Sequence, residues 1–279
     1  MRNLLRRIVG QTGDLEHDEG DETCIYAVGD IHGHADLLSE ICARIDADIR
    51  KFRPARPIQV FLGDYIYEYA QYEYAGYGPV RLHQPAHEIV TLADYRTRYG
   101  RYRTDPNLRD AHAALPWVVV WDDHEFANNN WRDGAENHNA DEGDFHTRRD
   151  AAMRAYYEWM PVRLTATSDE GHIYRSLQFG DLVELTIMDL RTYRDKEFWR
   201  GGARQKGDAR TMLGSEQYDW LIDTLERSTA TWSALGNSVM FSPLHVGAVF
   251  NNPATRPVAE ALSANILTAK APVPQLNEM

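Results

Sequence analysis

The sequence is poor in cysteine. It has two in 279 residues, Cys24 and Cys42. Neither stands in a Cys-x-x-Cys pair, which excludes a thiolate zinc site, and both read as buried small hydrophobes. It also lacks any run of about 18 apolar residues, so no spanning helix is expected. Basic residues are in deficit: 30 Lys and Arg face 42 Asp and Glu, a formal charge of −12. No basic face emerges, which argues against nucleic acid as the main partner. A surplus of carboxylates instead suits a site that gathers cations, where bound metal restores positive charge for an anionic ligand. Internal repeats and clear linkers are absent, and 43% of the residues are hydrophobic. One domain over residues 23–279, after an N-terminal extension of 1–22, is the simplest division. Arg6-Arg7 is followed by no apolar stretch of signal length, so a cytoplasmic location is expected of the sequence as written.

What is present reads as α/β. Residues 24–29 (CIYAVG) form a short β-rich run, and 34–51 carry Leu37, Leu38, Ile41, Ile45 and Ile49 at helical spacing. Residues 58–62 (IQVFL) form a second strand, which completes a βαβ unit. Residues 65–86 are rich in Tyr and Gly and read as an excursion. Residues 88–114 read as helix broken near Asp105-Pro106, and 116–121 (PWVVVW) as a third strand. A polar, Asn-rich loop over 126–146 precedes a helix at about 147–159. Gly180-Asp181 between 173–179 and 182–189 signals a hairpin. A helix opened by Ser215 over 215–227, a strand over 233–241 and a helix over 256–268 complete the reading.

Three apolar runs end in acidic motifs: Asp30-Ile31-His32-Gly33, Gly63-Asp64 and Asp122-Asp123-His124-Glu125. Ligands of open α/β sheets gather beyond the carboxyl ends of strands, so three such ends with metal-competent side chains would converge. A lone Asp at a strand end is ordinarily a turn former. Three in succession point to a metal centre. Two cations about 3.5–4 Å apart clamp the attacking and leaving oxygens of an in-line displacement at phosphorus.

The series Gly-Asp-x-His, Gly-Asp, then an acidic His-Glu motif resembles that of the calcineurin-like metallophosphoesterases. The resemblance implies an α/β/β/α fold, a β-sandwich flanked by helices with its metal site at the strand ends. It also implies two divalent or trivalent ions, iron first, with calcium, manganese or zinc as alternatives. Asp30 and His32 would hold the first metal, Asp64 would bridge, and Asp123, which stands where the superfamily has Asn, would help hold the second. His124 would assist the leaving group, and a metal-bound hydroxide would attack. Residues 24–65 (YAVGDIHGHADLL…FLGDY) resemble the protein-phosphatase-like branch. From about 62 to 243 the text resembles PhoD-type alkaline phosphatases, through GDYIYEY, LADYRTRY, DPNLRDAHAALPWVVVWDDHE, RRDAAMRAYYEWMPVR, FGDLVELTIMDLRTYR and MLGSEQYDWL. PhoD-type chains present Cys in the first motif, where this sequence has Asp30 and His32. Gly-Asp-x-x-Tyr also resembles the purple acid phosphatases, which makes Tyr67 a candidate ferric ligand. Arg191, after Asp189, could grip a phosphate oxygen or form a structural ion pair. Asn128 and Asn129 could offer oxygens to calcium or simply cap turns.

The resemblance implies a hydrolase of small phosphate esters, mono- or diesters, with no nucleic-acid or membrane partner, and otherwise a secreted or periplasmic setting. One expected feature is lacking. No Gly-Asp-x-His motif follows Met240-Phe241-Ser242-Pro243, and His245 is the sole histidine after it, able to replace one ligand but not two. The alternative is therefore a catalytically impaired relative that binds metal or phosphate.

Overall fold

Strand β1 (Thr23–Val28) leads through helix α1 (Ala35–Phe52) to β2 (Arg56–Leu62). In this computed structural model the described residues are 23–28, 35–73, 81–163, 172–197 and 210–239. β1 and β2 pair in parallel, from Thr23 opposite Arg56 to Val28 opposite Phe61. β3 (Trp117–Val120) joins the other side of β2 in parallel, so that Leu62 lies opposite Val120. This is the expected βαβ unit with a third strand added. Parallel strands covered on both faces need continuous apolar runs. β3, Trp-Val-Val-Val, is buried along its whole length.

A second sheet has the order β4-β5-β6. β4 (Arg175–Phe179) and β5 (Val183–Ile187) form the antiparallel hairpin expected at Gly180, whose φ of 58° suits a residue without Cβ. β6 (Trp232–Gly236) runs parallel to β5 and stops where Gly236 meets Ile187, the last residue of β5. The strand is therefore shorter than the 233–241 read from sequence.

Helices α2 (Leu92–Tyr102) and α3 (Pro106–Ala114) replace the interrupted helix of 88–114, and the break has a local cause. Pro106 brings no N–H to continue α2, while the Asp105 side chain accepts from Leu108 N at 2.9 Å and starts α3. α4 (Phe145–Trp159) is capped by Asp144, which accepts from Thr147 N at 2.9 Å. α5 (Gly214–Arg227) begins one residue before Ser215, and Ser215 does not cap it. Thr211 Oγ accepts from Leu213 N at 3.1 Å and Gly214 N at 2.7 Å in its place.

Both sheets contribute to one hydrophobic core, in which Val60, Val119, Trp121, Tyr99, Tyr156 and Ile187 are buried. α2 and α4 meet through Tyr99 stacked on Trp159 at 6.3 Å. Gly100 lets that indole approach, since a Cβ there would already lie 3.5 Å from its ring. Cys24 is buried in β1 as expected, whereas Cys42 in α1 is only half-buried. Contacts group the chain into two units, Met1–Ser238 and Val239–Met279, and every element named above belongs to the first. The extension 1–22, Asp30, His32, His245 and the helix expected at 256–268 lie outside the described residues.

Candidate metal centre

β2 ends at Leu62 and β3 at Val120, on adjacent parallel strands, so the loops that follow emerge side by side. They come unusually close. Gly63 has φ of 88°, and a Cβ there would overlap the Cβ of Asp122 and lie 3.0 Å from its backbone N. Only glycine fits both demands. Asp64 follows with φ of 52°, a left-handed conformation uncommon for a residue with a side chain. The two turns aim Asp64 toward the loop after β3. There it meets Asp123 and His124: one ligating atom from each of the three lies within 4.8 Å of the others. Asp64 and Asp123 are buried, and the His124 side chain is 12% exposed.

Glu125, the fourth residue of the third motif, does different work. It is buried and accepts from the backbone N–H groups of Asp64 at 3.1 Å, Ile66 at 3.3 Å and Asp122 at 2.7 Å, and also from Tyr65. One carboxylate thus ties both strand-end loops together. Burial nevertheless pushes its carboxyl up to about 7, against those backbone bonds.

Glu68, fully buried, accepts from His124 Nδ1 at 2.8 Å, Asn128 N at 2.5 Å and Asn137 Nδ2 at 2.9 Å. With Nδ1 engaged, Nε2 is the nitrogen left to meet a cation or a leaving oxygen. Burial pulls the imidazole pKa down, but the bond and charge of Glu68, with Asp123 and Glu125 nearby, raise it on balance. The ring is walled by Tyr67 at 4.4 Å and Tyr69 at 5.4 Å between centroids. The backbone carrying Tyr67, Glu68 and Tyr69 is held from behind by Arg98 of α2. This buried guanidinium donates to the carbonyls of Tyr67, Tyr69 (3.1 Å), Gln84 (3.2 Å), Pro85 (3.1 Å) and His87 (3.2 Å).

Arg191 reaches the centre from the loop after β5. Asp189 shapes that loop by accepting from the N–H groups of Arg191 and Thr192, each at 2.9 Å. The Arg191 guanidinium grips Asp122 with two hydrogen bonds, one of them 3.0 Å, and lies 3.3 Å from Asp123. Asn129, at φ of 51°, connects these groups. Its N–H donates to Asp123 at 2.6 Å, and its Oδ1 accepts from Arg191 at 3.3 Å and from Arg194. Burial opposes ionisation of Asp123, but Arg191, His124 and the Asn129 N–H hold its carboxyl below the usual range. Burial raises that of Asp122 in spite of Arg191.

Of the residues singled out from sequence, the structure brings together Asp64, Asp123 and His124, sets the Tyr67 ring against His124, and places Arg191 on the two aspartates. The Asn129 oxygen is already occupied by two guanidinium groups. Sequence reasoning missed Glu68, Glu125 and Arg98. Glu125 had a signal, being part of the third motif. Glu68 and Arg98 had none, since their roles depend on partners as far as 69 residues away. Three carboxylate and imidazole donors converging in a buried acidic recess fit a metal ion whose ligands are oxygen and nitrogen.

Known proteins resemble this chain over most of its length. The model of the PhoD-like phosphatase family matches residues 50–265. Alkaline phosphatase D of Bacillus subtilis (strain 168) is 43% identical over 194 residues, covering 67% of this chain and 33% of that protein. The chain therefore spans about a third of the length of that curated relative. A solved structure described as "Structure of PhoD" superposes with a TM-score of 0.59 at 36% identity, over 76% of this chain and 43% of the other. The chain belongs to the PhoD-like phosphatase family, within the metallophosphoesterase superfamily.

Proposed function

We propose that the chain forms the metal-binding centre of a phosphoric ester hydrolase that acts on small phosphate mono- and diesters. The observation that carries this reading is the convergence of Asp64, Asp123 and His124 within 4.8 Å, at the ends of two neighbouring parallel strands. The shared core of the two sheets supports the α/β/β/α sandwich expected of the superfamily. Two bound cations, iron with calcium, manganese or zinc, would polarise the phosphoryl oxygens and activate water. Asp64 and Asp123 would hold them, and the resemblance adds Asp30, His32 and Tyr67 as further ligands.

His124, oriented by Glu68 through Nδ1, serves the leaving oxygen through Nε2 as a general acid. Tyr67 and Tyr69 flank the ring and limit its rotation. Arg191 holds Asp122 and Asp123 in place and favours their charged forms, and it would turn to a phosphoryl oxygen only when Asp122 releases part of its grip.

Metal analysis of the purified protein, run beside hydrolysis of p-nitrophenyl phosphate and bis-p-nitrophenyl phosphate, tests the reading. Metal-dependent turnover that disappears in Asp64→Asn, with folding retained, is the expected result. Metal binding with no turnover of either ester would show a binding protein instead.

A further inference from the structure

Behind Glu68 lies another carboxylate, Glu88, part-buried in the stretch between β2 and α2. Arg148 of α4 holds it, donating to Glu88 Oε1 at 2.8 Å. Arg148 is itself buried and fixed, since it also donates to the Ile89 carbonyl at 2.9 Å and to Tyr95 Oη at 3.1 Å. Asn137, from the loop that joins β3 to α4, stands between the two acids. Its side-chain nitrogen donates to Glu68 Oε1 at 2.9 Å and to Glu88 Oε1 at 3.2 Å. A side-chain amide carries two N–H bonds, and Asn137 gives one to each carboxylate. Burial raises the Glu88 carboxyl against the pull of Arg148, and the charges of Glu142 and Glu68 add to the rise. A neutral donor between Glu68 and Glu88 holds both without cancelling the charge of Glu68, as a lysine or arginine would. That charge remains for His124, whose Nδ1 meets the other oxygen, Oε2, at 2.8 Å. Oε1 is shared between Asn137 and the Asn128 N–H. Without Asn137, the Asn128 N–H is what remains on Oε1, among the described residues, to set the plane of the carboxylate.

We propose that Asn137 is a positioning residue for protonation of the departing alcohol. It locks the Glu68 carboxylate so that His124 Nε2 faces the ester oxygen, and it anchors that lock to α4 through Glu88 and Arg148. The inference rests on the reading of His124 as the general acid. In that step the P–O bond to the alcohol breaks. Its electron pair stays with the alcohol oxygen, which takes the proton from Nε2. A water oxygen forms the new bond to phosphorus, and the proton it releases replaces the one that His124 gave. Loss of Asn137 therefore harms esters whose alcohol needs that proton more than those whose anion leaves readily. A purely structural role would affect both alike.

The test compares kcat/KM for phenyl phosphate and p-nitrophenyl phosphate on the purified full chain, with circular dichroism and metal content as controls. Phenolate is the poorer leaving group, because the nitro group stabilises the nitrophenolate anion. Asn137→Leu should lose about 10–100-fold on phenyl phosphate and much less on p-nitrophenyl phosphate. Asn137→Asp sets a third carboxylate against Glu68 and Glu88, and should show the same selectivity with a larger loss. His124→Ala should show it most strongly. Equal losses on the two esters in Asn137→Leu, or no loss, would overturn the positioning role, while a selective loss in His124→Ala would leave the general acid in place. Should Asn137→Leu fail to fold, the same ratio in Asn137→Asp decides. Equal losses on the two esters in His124→Ala overturn both readings.

Discussion

Arg191 and Asp122 show how much of the centre is structural before it is chemical. The guanidinium and carboxylate are both buried and bonded twice. Removing one partner leaves the other charged and unpaired in a recess that already holds Asp64 and Asp123. Arg191→Met is therefore expected to destabilise by about 3–5 kcal/mol, read as a lowered denaturation midpoint. The double change with Asp122→Asn should recover part of the loss, since the stranded charge is gone. Glu68 acts in the opposite way, through the site more than through stability. Glu68→Gln preserves shape but removes the charge behind His124 Nδ1. Turnover should fall about 10–100-fold, the range seen when a residue that orients a group of the site from behind is lost. Steady-state kinetics would show it, and wild-type values would refute the orienting role.

Among the elements, α2 positions the site without contributing a ligand. Arg98 is its contribution. Four carbonyl oxygens of the excursion and that of His87 converge on this buried cation, and two of them belong to Tyr67 and Tyr69 on either side of Glu68. Arg98→Leu would strand those carbonyls away from water, at a cost on the order of 3 kcal/mol or more. The loss should be local as well as global. Amide exchange in residues 65–73 should quicken more than exchange in β2, and uniform protection would show that α2 does not organise the loop.

α3 offers a different test, through pH. His112 stacks on Trp117 at 3.8 Å and bonds Tyr65 Oη at 2.9 Å. Burial, helped by Arg103, pushes its pKa down to about 4 from an ordinary 6.5. The native ring thus stays neutral where the unfolded ring takes a proton. Stability contributed here is full above pH 6.5 and is lost as pH falls toward 4, by about 1–2 kcal/mol. His112→Phe, which keeps the stacking and cannot titrate, should flatten that part of the urea midpoint against pH. An unchanged slope would assign the acid sensitivity to other groups.

At the scale of the whole molecule, acidity and the proposed function are consistent. A formal charge of −12 repels polyanions at long range, so the proposed phosphate-ester substrate would depend on local positive charge within the recess. Arg191 brings such charge but shares it with two aspartates, and Arg194 adds a second guanidinium on Asn129. A small ester meets this condition more easily than a nucleic acid. Single-stranded DNA should be hydrolysed much more slowly than p-nitrophenyl esters, and comparable rates would reverse the assignment of substrate size.

The sequence by itself determined the strand-ending motifs, the βαβ unit, the hairpin at Gly180 and the break at Pro106. Each depends on neighbours close along the chain: apolar runs, turn residues, a proline without its N–H. It also held the family resemblance, because Asp64, Asp123 and His124 stand in motifs whose spacing follows strand ends. The tertiary structure alone decided which acidic residue does which work. Glu125 and Glu68 are both glutamates near a metal-type motif, yet one staples two loops and the other orients a histidine. Such roles are fixed by distances between segments far apart in the chain, set by the packing of two sheets on one core.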